Sequence, residues 1–524
     1  MRKRIPSSYW PSMLLFGALI ASARSTAAQS SALPSGVINL PPYVVKDQDS
    51  APPMEKGWSY AELTDFEVLS RTTHASTQKV LRDLRILGQA LEYAMPSLDA
   101  YPRTRIVLVV CNTEAEYEAL VPETVTSGRP GALMYPLDEV AGGLGNGGTS
   151  HEETERFDVI SKCTPMEGHG LTYIVCSFPE GTLRFDDQLC RAYVLARLAG
   201  ARPRLPAFFE EGLAELAAEI VIHKDEIKVG VFSELPEAIP GPMNPIPHIG
   251  SPSTSASKRA QSAAAGGLKG RQPFDSSNST PPMMITKETN RRLLGSNPIM
   301  PLAKVVAVEH DDPLTFQPRG LWALESEAFV HMCLYGTGRY AYGPAFGKYL
   351  AALVGTPANA ESVVDPVATL AAAFDQKPTE LDETLRAYVE DGSSQSTLLR
   401  PRKGSGGEMY KDPAPVEFRA AADGEIARIK GDADFLAAGI DTHLNMKGAA
   451  AKHALAAESE FAASYRRGER SPRFLAAWGL FEYRSGQDLA FARRLLEAAI
   501  AAGSTSRPAS MTLDQLRGVA GTKQ

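Results

Sequence analysis

The run Arg105-Ile106-Val107-Leu108-Val109-Val110 limits the fold more than any other feature, because it is almost wholly apolar and reads as a strand. Its surroundings repeat the theme. A strand is predicted at 66–70, and a long Pro-free helix over 75–95 with Val80, Leu84, Leu87 and Leu91 at helical spacing. After the apolar run comes an acidic helix over 113–120, with Asn112 as its cap, and a further strand at 171–176. This is a strand, helix, strand, helix opening. Beyond it the pattern turns helical, at 186–198, at 207–220 after a proline turn, in a hairpin over 322–354 and again over 370–389. The segment 415–524 has almost no strand signal. There the small and large residues from Ala476 to Tyr483, then Gly486, Ala492, Leu495, Leu496 and Ala499, match a tetratricopeptide-type helix pair. The fold class read from this order is α+β: a small α/β N-terminal part, a helical C-terminal part, and an all-α repeat-like module.

Composition places the punctuation. Met1-Arg2-Lys3-Arg4, the apolar stretch 13–23 and Thr26-Ala27-Ala28 read as a secretory signal peptide over 1–28. The apolar stretch is about half of the roughly 20 residues a membrane-crossing helix needs, so no integral membrane segment is expected after cleavage. A Pro/Ser-rich leader arm over 29–57 precedes the main domain, 58–392. Inside that domain lie a glycine-rich loop at 131–148 and, at 251–282, a Ser/Ala/Gly/Pro insertion too poor in large apolar residues to order. A Gly/Ser/Lys-rich linker, 393–414, leads to the helical module at 415–524, the expected surface for protein partners. The formal charge is −7, and it falls to −11 once the four basic residues of 1–28 are removed with no acid. An acidic, exported chain is a poor match for nucleic acid. Five cysteines form no zinc motif; Cys163 and Cys176 bracket a hairpin around Gly168-His169-Gly170, where a disulfide and buried free thiols both fit.

The segment Pro203-Arg204-Leu205-Pro206-Ala207-Phe208-Phe209-Glu210-Glu211-Gly212-Leu213-Ala214-Glu215 resembles the active-site region of peptidase MA-like gluzincins and of the related bacterial domain of unknown function 1570. A second stretch, Ile299-Met300-Pro301-Leu302 followed by Trp322 to Gly336 with its S-x-x-x-V-H core, is similar to the family's downstream helix. In that family HExxH on one helix supplies two imidazoles and a general base, and the Glu of E-G on the next helix completes the zinc set. The resemblance implies a zinc metallopeptidase fold over roughly 58–389. It also aligns the HExxH window with Arg191-Ala192-Tyr193-Val194-Leu195. Arg191 stands for the first ligand, Ala192 for the base and Leu195 for the second ligand, and Glu211 alone keeps its type.

Neither a guanidinium nor an alkyl chain ligates zinc, and alanine takes no proton from water. The leading expectation is therefore an exported pseudopeptidase with no catalytic residues and no cofactor, acting as a scaffold. In place of the metal, Arg191 and Glu211 are expected to form an ion pair joining the two helices. One alternative is a working zinc peptidase with ligands rearranged from His169 or His223 beside Glu211. Another is a periplasmic interaction protein whose helical module does the work. His331, on an apolar helix, reads as a hydrogen-bonded core residue.

Overall fold

The computed structural model describes residues 57–94, 105–123, 162–177, 187–201, 204–230, 300–316, 321–354, 364–391, 396–400 and 408–521, single positions within these ranges excepted. The expected signal peptide, leader arm, glycine-rich loop and 251–282 insertion lie outside the described residues.

Five strands carry the N-terminal part: β1 Ser59–Glu62, β2 Phe66–Ser70, β3 Ile106–Cys111, β4 Lys162–Gly168 and β5 Leu171–Ser177. They alternate strictly. Phe66, Val68, Ile106, Leu108, Val110, Cys163, Ile174 and Cys176 face one apolar core, while Tyr60, Leu69, Val107, Val109, Cys111, Tyr173 and Val175 face a second. A strand apolar at every position is the mark of a sheet covered on both faces, which is why 105–110 reads as it does. The order is β4-β5-β3-β2-β1, with a short C-terminal strand, β9 Arg419–Ala420, beyond β1; β2, β3 and β5 run parallel, and the other neighbours pair antiparallel. The β4–β5 turn is made by His169 at φ 55° and Gly170 at φ 80°, the left-handed pair a two-residue hairpin requires. Cys163 and Cys176 are both buried, and no disulfide joins them in the structure.

The first face is covered by α1 His74–Ala94 and by α3 Asp187–Leu198; α2 Glu114–Glu118 lies on the other side. The cap of α2 is Thr113, whose side chain accepts from the Glu116 N–H; Asn112, expected there, instead donates its backbone N–H to the Glu116 carboxylate. Behind α3 follow α4 Ala207–Ala218, α5 Leu302–Ala307, α6 Leu321–Tyr335, α7 Gly343–Val354, α8 Pro366–Phe374 and α9 Pro378–Asp391. The helical hairpin expected over 322–354 is thus two helices broken at 336–342. Rings of Phe208, Phe329, Phe346, Tyr349 and Phe374 meet where α4, α6, α7 and α8 converge.

The second face is covered by the C-terminal helices α10 Asp423–His443, α11 Lys447–Arg466, α12 Pro472–Ser485, α13 Leu489–Ala501 and α14 Arg507–Gly521. These helices share one core with the sheet, so the last hundred residues form its second layer. The stretch expected to be a linker contains β8 Thr397–Leu399, which completes a small sheet with β6 Val221–Ile222 and β7 Ile227–Val229. It then runs along α1, where Gln89 holds the Lys411 backbone from both sides (2.9 and 3.0 Å) and Gln78 accepts from Val416 N–H. Just beyond, β9 Arg419–Ala420 adds to the β1 edge. Among the described residues no helix is long and apolar enough to cross a membrane.

Candidate functional site

α3 and α4 pack side by side, with Pro206 as the residue that starts α4. Proline suits that place because its fixed φ leads into a helix and its missing N–H is not needed there. The close fit behind α4 rests on Gly212: a Cβ on it would stand 2.6 Å from Ser326 O and 2.7 Å from Val330 Cγ2 of α6. The glycine of E-G-L-A-E is thus the point where two helix backbones touch, and any larger residue would force them apart.

Between α3 and α4 lies a buried charged cluster. Arg191 is 6% exposed, Glu211 3% and Glu215 4%. Arg191 Nε donates to Glu211 Oε1 at 2.8 Å, and its terminal nitrogen makes a second, shorter contact with the same oxygen. Glu215 Oε1 lies 2.9 Å from Nε, an ion-pair distance, yet accepts no hydrogen bond because the single Nε hydrogen is directed to Glu211. Two carboxyls facing one guanidinium leave an excess negative charge. Burial accordingly pushes Glu211 up to about 7, with Glu215 adding to the rise and Arg191 opposing it. One proton on this carboxyl pair makes the cluster electrically neutral.

The ion pair expected between Arg191 and Glu211 is present. The third member, Glu215, was not among the expected residues; the signal for it is its place one turn after Glu211, on the same helix face. Ala192 is fully buried, and Leu195 is partly buried and packed against the surrounding core. His169 is not near this cluster. It stacks on Phe435 of the opposite layer at 4.6 Å, and burial pushes its imidazole down to about 4. His223 is exposed beside β6 and β7. His331 is a satisfied core histidine: its Nε2 donates to Gly230 O at 2.9 Å, leaving Nδ1 to accept from the Tyr388 hydroxyl at 2.6 Å.

No family model, curated protein or solved structure matches the chain. The chemistry of the cluster therefore has to be judged from its own side chains. These side chains are a poor fit to zinc: Glu211 is held by a guanidinium, and Ala192 and Leu195 carry no donor atom. Among the described residues no three or more His, Cys, Asp or Glu are grouped to hold a metal ion.

A second charged cluster borders α4. Glu210, 3% exposed, pairs with Arg204 at 3.1 Å and with His310 Nε2 at 3.1 Å, and Arg204 also reaches Glu167 at the end of β4. The two stretches that carry the downstream resemblance also meet, since the Met300 N–H donates to the Glu325 carboxyl. Glu325 is fully buried and pushed up to about 8 by that burial.

Proposed function

We propose that this chain is an exported metallopeptidase-like protein that has given up peptide hydrolysis and serves as a binding scaffold. The observation that carries the reading is Arg191: a buried cation occupies the position that the family resemblance gives to the first zinc ligand, and it binds the one ligand-type residue that remains. A guanidinium in that place supplies the positive charge that a metal would, with directed hydrogen bonds and no open coordination position. On this reading the packing of α3 against α4 is kept and the catalytic groups are lost. Contacts with protein partners would fall on the outward side of the helical layer, where Leu455, Leu489 and Met511 are exposed.

The test is a restoration. The purified wild-type protein should hold no stoichiometric zinc and cleave no peptide, whereas Arg191→His/Ala192→Glu/Leu195→His should bind one zinc per chain and release it when Glu211→Gln is added. Tightly bound zinc in the wild type, with chelator-sensitive peptide cleavage, would overturn the loss of activity. A folded triple variant that takes up no zinc would overturn the alignment with the family.

A further inference from the structure

We propose that Cys163 and Cys176, unbridged in the structure, where Cys176 Sγ donates to Val109 O at 3.4 Å, are oxidised to a disulfide that ties the edge strand β4 to β5. The two are register partners in the hairpin, and both side chains lie on the sheet face covered by α1 and α3. Counting from the turn-closing pair Gly168↔Leu171, hydrogen-bonded and non-hydrogen-bonded pairs alternate, which makes Cys163↔Cys176 a non-hydrogen-bonded pair. Pro165 checks the count: paired with Ile174, it also falls on a non-hydrogen-bonded position, the only kind that suits a residue without an N–H. At such positions the opposed Cα atoms approach to about 4.5 Å, within the span a disulfide bridges.

The chemistry is thiol–disulfide exchange with a disulfide-bearing oxidant. Cys163, 8% exposed on the edge strand, is the less buried of the two, and Cys176 is fully buried. The Cys163 thiolate attacks one oxidant sulfur and displaces the other as a thiol. The Cys176 thiolate then attacks Cys163 Sγ and displaces the second thiol. Two protons and two electrons pass from the cysteines to the oxidant. The bond would hold the strand against which α3 packs, and with it the helix that carries Arg191.

The experiment uses the full chain, refolded in glutathione with glutathione disulfide, alkylated after denaturation without reductant, and digested. Trypsin leaves both cysteines in one peptide, 163–184. That peptide should be unalkylated and lighter by two hydrogens, and cleavage after Glu167 should leave its pieces joined. Cys111, Cys190 and Cys333 should all be alkylated. The oxidised protein should also unfold at a higher urea concentration than the reduced one, a difference absent in Cys163→Ser/Cys176→Ser. Five alkylated cysteines, or a bond from either residue to Cys190, would overturn the proposal. An unchanged urea midpoint would overturn the bracing role.

Discussion

A buried guanidinium between two carboxyls makes Arg191 the most exacting residue of the site. Breaking a buried pair from one side leaves the other side's charge without compensation. Arg191→Ala is therefore expected to cost about 3–5 kcal/mol at pH 8 in urea denaturation, more than the roughly 1–3 kcal/mol of a partly buried pair. At pH 5 the loss should shrink, because the Glu211 carboxyl, pushed up to about 7 by burial, then holds a proton. A loss under 1 kcal/mol at pH 8 would show that the cluster is wet.

Glu211 carries its own pH signature. Its carboxyl sits at about 7 in the folded chain against an unfolded value of 4.5, so the folded state holds the proton more tightly. Its contribution is full below pH 4.5 and is lost as pH rises to 7, by an amount on the order of 1–3 kcal/mol. Glu325, near 8, and Glu482, near 7, act in the same direction. His169 and His331, both near 4, act against them: their contribution is full above 6.5 and is lost as pH falls. The informative quantity is a difference. Glu211→Gln should flatten the fall in stability between pH 5 and 8 relative to wild type, measured by urea midpoints across that range. An identical slope in the two proteins would refute this assignment.

At the scale of elements, the alternation and periodicity of the chain were readable wherever one rule decided the outcome. The strands at 66–70 and 171–176 and the helices at 186–198 and 207–220 fall within a residue or two of the predicted bounds. What a local pattern cannot carry is partner choice. Thr113 and Asn112 are both good cap residues; Thr113 takes the role, and Asn112 gives its backbone N–H to the Glu116 carboxylate. Likewise the break at 336–342 has no proline before Pro344; it opens at Gly336, where a Cβ would stand 2.3 Å from both Met332 O and Tyr340 O. The Arg191–Glu211 pair was legible because the family resemblance aligned two positions on adjacent helices. The contact between Gly212 and α6 was not, because it depends on a helix more than a hundred residues away.

At the scale of the molecule, the sheet is the shared floor of two helical layers, and a charge network bolts the second layer on. Glu67 of β2 accepts from Tyr60 at 2.9 Å and from Arg473 at 2.9 Å and also pairs with Arg428, while Asp432 accepts from Tyr173 at 2.7 Å. Those two cations hold Glu67 below the usual carboxylate range despite its burial. Deleting 415–524 would bare the face formed by Tyr60, Leu69, Val107, Val109, Tyr173 and Val175 and leave Glu67 without its cations. The truncated chain should aggregate or lose its cooperative unfolding transition. A soluble 29–414 fragment with the full protein's midpoint would show that the helices are an ornament to the sheet.

The pairing of β1 with β9, and of Glu67 with Arg428 across 361 residues of chain, bears on timing. A ribosome releases the first strands long before the helices that cover them, so the order of synthesis runs against the order of assembly. Contacts this distant in sequence close late and slowly. Until α10 to α14 emerge, the nascent chain keeps one sheet face unfinished, so the helices made last decide when the strands made first are finally covered.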